Sequence, residues 1–122
     1  MGTTRRGREA ERHAERWLKA RGLQVLARNY RCRFGELDLV MRQGDTLVFV
    51  EVRLRRDERF GGARASVTRA KQRRLLAAAN HYLMCHPALA RLPCRFDVLA
   101  LTGDPGGAVK VDWICHAFSG EY

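Results

Sequence analysis

The chain has 122 residues and a formal net charge of +10, from 23 Lys+Arg against 13 Asp+Glu. That length suits one domain over residues 1–122, able to bury a core without disulfide staples, and the charge points to a polyanionic partner. No apolar run approaches membrane-spanning length, which excludes a helical membrane protein, and nothing resembling a signal peptide precedes the first helix. Cys32, Cys85, Cys94 and Cys115 are scattered without a CxxC pair, so free thiols in a reducing cytoplasm are the expectation.

Thr3 or Thr4 is placed to cap a first helix running to about Arg21, with Gly22 as its stop and Ala10, Ala14, Trp17 and Leu18 as its apolar stripe. Leu23 to Leu26 is a short strand candidate. Glu36 to Met41 and Leu47 to Leu54 alternate with period two and are joined by the turn signal Gln43-Gly44-Asp45. Val48, Val50, Val52 and Leu54 fall on one face of the second strand; Leu47, Phe49, Glu51 and Arg53 fall on the other. Both faces start apolar, as in a central strand covered on both sides. Arg55 to Ala65 reads as a basic loop. Ser66 is expected to cap a second helix from about Val67 to Cys85, ending before Pro87. Arg95 to Leu101 and Val109 to Ala117 read as two further strands, with the turn at Gly103 to Gly107. The predicted order is α-β-β-β-α-β-β, an α/β mixed sheet flanked by helices.

A two-residue loop at Gly44-Asp45 pairs Gln43 with Thr46. Counting back, Asp38 lies opposite Glu51, and Glu36 opposite Arg53. Two facing carboxylates repel. Aspartate is disfavoured in a strand, and a glutamate in the most apolar strand is costly unless it is paired or metal-bound. A salt bridge from Arg53 to Glu51 or Glu36 would satisfy part of this but leaves Asp38 unexplained. A divalent cation accounts for both acids: Mg²⁺ or Mn²⁺ binds through one or two carboxylates and polarises a phosphate. Arg53, on the same face, and Lys71, early in the second helix, are candidate catalytic cations. Glu11 lies at the edge of the first helix's apolar stripe, where an ordinary exposed helix glutamate is the alternative.

Asp38 followed by Glu51-Val52-Arg53 looks like the PD-(D/E)xK signature of restriction-endonuclease-like nucleases. A wider pattern resembles the YraN family of small, largely uncharacterised bacterial proteins. It comprises Glu11-x-x-Ala14-x-x-Trp17-Leu18, Arg28-Asn29-Tyr30, Gly35-Glu36-Leu37-Asp38, Val48-Phe49-Val50-Glu51-Val52-Arg53, Phe60-Gly61, Lys71 and Arg95-Phe96-Asp97-Val98. That family is regarded as similar to archaeal Holliday junction resolvases. The resemblance implies a restriction-endonuclease-like core, with Glu11, Asp38 and Glu51 as the metal-holding acids. Arg53 departs from the signature's lysine: it keeps the charge but cannot act as a base.

The expected activity is metal-dependent hydrolysis of phosphodiester bonds in DNA, with branched DNA as substrate and a homodimer as the working form by analogy. The alternative is a nucleic-acid-binding protein that keeps the fold without hydrolysis; a basic structural protein of a larger assembly is a third reading. From Arg53 to Arg74 there are nine Lys/Arg and only two acids. Arg55, Arg56, Arg59, Arg64, Arg69, Arg73 and Arg74 are therefore the expected contacts to the nucleic-acid backbone. His81, Cys85, His86 and Cys94 match no zinc module. Trp113 and Tyr30 are either packing residues or platforms for base stacking. Asp97 is expected to pair with a basic neighbour, outside the site.

Overall fold

The computed structural model describes residues 5–55, 67–103 and 108–118. Helix α1 (Arg5–Lys19) leads into strands β1 (Gln24–Cys32), β2 (Gly35–Gln43) and β3 (Thr46–Arg55). Helix α2 (Arg69–Cys85) follows, then β4 (Cys94–Gly103) and β5 (Val109–Phe118). The five strands form one sheet in the order β1-β2-β3-β4-β5. All neighbours are antiparallel except β3 and β4, which run parallel. A parallel pair needs a crossover, and α2 lies within it. This is the expected element order and a mixed α/β architecture consistent with the restriction-endonuclease-like fold.

β3 lies at the centre of the sheet, as its two apolar faces predict. On one face Val48 and Val50 are buried with Ala10, Ala14 and Leu18 of α1. On the other, Phe49 packs with Leu75, Ala78, Ala79 and Tyr82 of α2. Alanines at four-residue spacing let α1 approach the sheet closely, and Leu18 supplies the bulk. Such a fully buried leucine is worth about 1.5–3 kcal/mol. The helix ends as Gly22 requires. At φ +93° that glycine takes the left-handed conformation, the Gly22 N–H reaches Lys19 O, and the Leu23 N–H reaches Leu18 O. This is the Schellman arrangement, with Leu18 and Leu23 both buried against each other's cluster. The expected cap, Thr3 or Thr4, lies outside the described residues.

Two boundaries differ from expectation. Strand β1 runs nine residues, not the four from Leu23 to Leu26. As an edge strand with alternately exposed side chains it carries Arg28, Asn29 and Arg31, which hide its periodicity. Helix α2 is capped by Thr68, whose Oγ1 accepts from the Lys71 N–H at 3.2 Å; Val67, the expected first residue, lies before the cap and is buried. Ser66 itself falls outside the described residues. No helix among them is long and apolar enough to cross a membrane.

Candidate metal and phosphate site

The β2–β3 ladder runs from Gln43↔Thr46 to Leu39↔Val50 in the register counted from the turn. One more step would set Asp38 opposite Glu51. There the ladder stops, and the Asp38 carboxylate accepts the Val52 N–H at 2.8 Å. In a regular antiparallel continuation that amide would bond a β2 carbonyl. The side chain has taken the backbone's place, so the strands splay and a cleft of about 270 Å³ opens, lined by Gly35, Glu36, Asp38, Glu51, Lys71, Arg74 and Leu75.

β1 contributes to the same irregularity. Residues two apart in a strand share a face, yet Leu39 packs on the α1 side and Leu37 on the α2 side. Their β1 partners switch likewise: Arg28 bonds Glu15 of α1, and Tyr30 packs toward α2. Between them, opposite Asp38 in the register, stands Asn29 at φ +49°. Asparagine tolerates this left-handed conformation better than most residues, and it lets both strands turn their side chains over. The Asn29 side chain also lies beside Glu11 at one cleft and favours its charged form, which relates α1 to the site.

Glu51 is 6% exposed. Lys71 Nζ stands 2.7 Å from its Oε2, and Arg53 reaches the same oxygen at 3.5 Å. Lys71 thus reaches the site across the cleft, placed there by the Thr68 cap. The Asp38 and Glu51 side chains are within hydrogen-bonding reach of one another, and the Asp38 carboxyl is pushed up to about 8. Burial is the main cause, followed by the Glu51 charge; the Val52 N–H opposes both, and Glu11 adds to the rise. Glu11 is half-buried, and its carboxyl is raised by burial and by Glu36 and Glu51, against the Asn29 side chain.

Asp38 and Glu51 form the close pair, with Glu11 beside them. Among the described residues no group of three His, Cys, Asp or Glu is gathered tightly enough to hold one ion together. A two-carboxylate seat is nevertheless what Mg²⁺ ordinarily uses, the remaining positions going to water and phosphate. The crowded pair, with the Asp38 carboxyl raised by burial and by its neighbour's charge, fits a cation. Glu36 does not face Arg53; it pairs with Arg31 on β1 at 3.4 Å, because β2 has already diverged from β3 at Asp38. Arg69, Arg73 and Arg74 are exposed on α2, Arg74 at the cleft, and Arg55 is half-buried at the end of β3. Arg56, Arg59, Arg64 and Phe60-Gly61 lie outside the described residues.

Asp97 has the basic partner expected. It is fully buried and accepts from Arg95 Nε at 3.0 Å, Trp113 Nε1 at 2.9 Å and the His116 N–H at 3.0 Å. Trp113 also meets Trp17 edge to face, and Tyr30 is hydrogen-bonded with His81 and packs edge to face on Tyr82. Both aromatic rings are thereby engaged in packing. The four cysteines are free, and Cys85 lies 4.0 Å from His81 Nδ1. Sequence reasoning missed the roles of Asn29 and Thr68: the first stood in the Arg28-Asn29-Tyr30 motif with no role assigned, and the second lies two residues past the expected cap, Ser66.

The family model described as "Uncharacterised protein family UPF0102" matches residues 10–101, which include Glu11, Asp38, Glu51 and Lys71. A UPF0102 protein of Aeromonas hydrophila subsp. hydrophila is 56% identical over 93% of this chain and 84% of its own length. One from Alcanivorax borkumensis is 50% identical over 94% and 92%. Another, from Ralstonia nicotianae, is 54% identical over 98% and 91%. The chain belongs to the UPF0102 family, which is the same family as YraN.

Proposed function

We propose that this protein is a metal-dependent nuclease hydrolysing phosphodiester bonds in DNA. The observation that carries the reading is the Asp38–Glu51 pair: two acids that repel one another, one pushed up to about 8, lining a cleft together with Lys71. Such repulsion is costly in a fold unless a cation relieves it. Asp38 and Glu51 would hold Mg²⁺ or Mn²⁺, with Glu11 close by. The bound ion would supply a Lewis acid for the phosphate and lower the pKa of a water.

The chain's own groups supply the rest. Lys71, which can release Glu51 and turn into the cleft, stabilises charge on the phosphate and takes the place of the signature's lysine. Arg53 holds a phosphate oxygen but, permanently charged, moves no proton. The Val52 N–H fixes the Asp38 carboxylate on the cleft side of the splayed strands. The exposed Arg69, Arg73 and Arg74 extend a positive surface from the cleft along α2.

A nucleic-acid-binding protein without hydrolysis is the second reading. Arg53 at the lysine position favours it, together with the direct Lys71–Glu51 ion pair, which already neutralises one acid. Purified protein incubated with labelled four-way junction, flap, single-stranded and duplex DNA separates the two. With Mg²⁺ or Mn²⁺, cleavage that EDTA and Glu51→Ala both abolish is the expected result. Tight binding with no cut under any condition would replace the nuclease by the binding protein. Cross-linking in the same samples tests the expected two-copy arrangement.

A further inference from the structure

A second cleft, of about 290 Å³, lies between α1 and β1, lined by Arg8, Glu11, Arg12, Glu15, Arg16, Arg28, Asn29 and Leu39. It adjoins the candidate metal site, because Glu11 and Asn29 border it while Glu11 also feels the charges of Glu36 and Glu51.

The Glu15–Arg28 pair accounts for part of its composition in folding stability, but not for the row of arginines. Arg8, Arg12 and Arg16 are exposed and repeat every fourth residue, which stacks like charges along one helix face. The first turn of α1 contains no acid, although the positive end of the helix dipole favours one and disfavours arginines. Neither Arg12 nor Arg16 forms an ion pair within 4 Å among the described residues. Across the cleft, Glu15 clamps Arg28 by two bonds, at 2.6 and 2.8 Å. That leaves the remaining N–H groups of a held guanidinium for another acceptor. An anion seated here would relieve the arginine row and the unfavoured helix end together. The three arginines are spread along more than two turns of α1, and Glu11 at the cleft's edge feels the charges of Glu36 and Glu51, so an extended polyanion suits it better than a small ion.

We propose that the α1–β1 cleft binds the sugar–phosphate backbone of DNA, through Arg8, Arg12, Arg16 and the Glu15-held Arg28, on the opposite side of the site from α2. This rests on the nucleic-acid reading above and deepens it: DNA is gripped from both sides of the Asp38–Glu51 pair, and α1, which the basic run at 55–74 does not include, carries half of the hold.

The test is equilibrium binding of labelled duplex and four-way junction DNA in EDTA, by fluorescence anisotropy over a salt series. Arg12→Gln/Arg16→Gln is compared with Arg42→Gln/Arg91→Gln, an equal loss of charge from the turn end of β2 and the loop before β4. The first pair is expected to weaken binding at least about tenfold near 0.1 M salt and to lower the magnitude of the log–log salt slope by about 2. The second should change affinity less than about twofold. Circular dichroism melts confirm that both variants fold. Equal losses in the two variants, or none in the first, overturn the cleft while leaving the nuclease untouched. Absence of metal-dependent cleavage with the arginine effect intact overturns the nuclease alone. No measurable DNA binding by the unaltered protein overturns both.

Discussion

Glu51 and Asp97 are the two buried acids of the described residues, on neighbouring strands and within one sheet, yet their surroundings differ in kind. Asp97 is held by groups that cannot leave: a backbone N–H, an indole N–H, and a guanidinium whose side chain is 17% exposed. Those bonds fasten β5 to β4 where the register slips between Phe96 and Val98, with His116 at φ +55°. Glu51 is held by Lys71 and Arg53, whose side chains are 31% and 32% exposed and able to swing into water. One carboxylate is saturated by fixed donors. The other is neutralised by movable ones and crowded by a second acid. Burial alone therefore does not set the proposed metal ligand apart from a structural acid; the replaceability of its partners does.

The contrast is broken most severely by Asp97→Ala. It strands a mostly buried guanidinium and two N–H donors, and should cost about 3–5 kcal/mol of stability in a denaturant titration. Cleavage per folded molecule should stay within about threefold of the unaltered protein. Glu51→Gln is the converse. Cleavage should fall at least about a hundredfold, while stability changes by about 1 kcal/mol or less, because Lys71 and Arg53 reach solvent when released. If the two variants traded outcomes, the assignment of roles would be reversed.

Lys71→Met should lower the cleavage rate about tenfold to a hundredfold, and Arg53→Met less, in keeping with 2.7 against 3.5 Å to Glu51. Single-turnover rates at saturating protein would show the order. A larger loss for Arg53 would return the leading role to the signature position.

The last test is of stability against pH. Folding raises the Asp38 carboxyl from 3.8 to about 8, so between those values the folded state binds its proton more tightly than the unfolded chain. In EDTA, stability should therefore fall as pH rises from about 4 to 8, by on the order of 1 kcal/mol or more. Asp38→Asn, which can still accept from Val52, should flatten that slope and raise the melting temperature at pH 8 while removing cleavage. Mg²⁺ should stabilise the unaltered protein at pH 8 and leave Asp38→Asn unmoved.

Much of this was legible in the chain. The Gln43-Gly44-Asp45 turn fixes the register from which Asp38 and Glu51 come to neighbour each other, and the double alternation of Leu47 to Leu54 places β3 centrally. What was hidden depended on geometry that residue types do not announce. Asn29 matters through its positive φ, and Glu36 faces β1 because β2 turns over at Asp38. Lys71 reaches Glu51 through the packing of α2 and the position of its cap, neither of which periodicity gives. The arginine row of α1 was visible as Arg8, Arg12 and Arg16 but reads as a solvated face until Arg28 is seen across from it.

The turn that makes the site legible also orders its assembly. Asp38 and Glu51 belong to one hairpin, Gly35 to Arg55, closed by a two-residue loop. Lys71 arrives only with the crossover that pairs β3 with β4. Hairpins close in about 1–10 μs, and contacts between distant segments form later. A hairpin that closed first would hold two neighbouring carboxylates without the lysine that shields them in the folded protein. The expected consequence is a refolding rate that depends on the cations and protons around the chain, which stopped-flow refolding with and without Mg²⁺ would read.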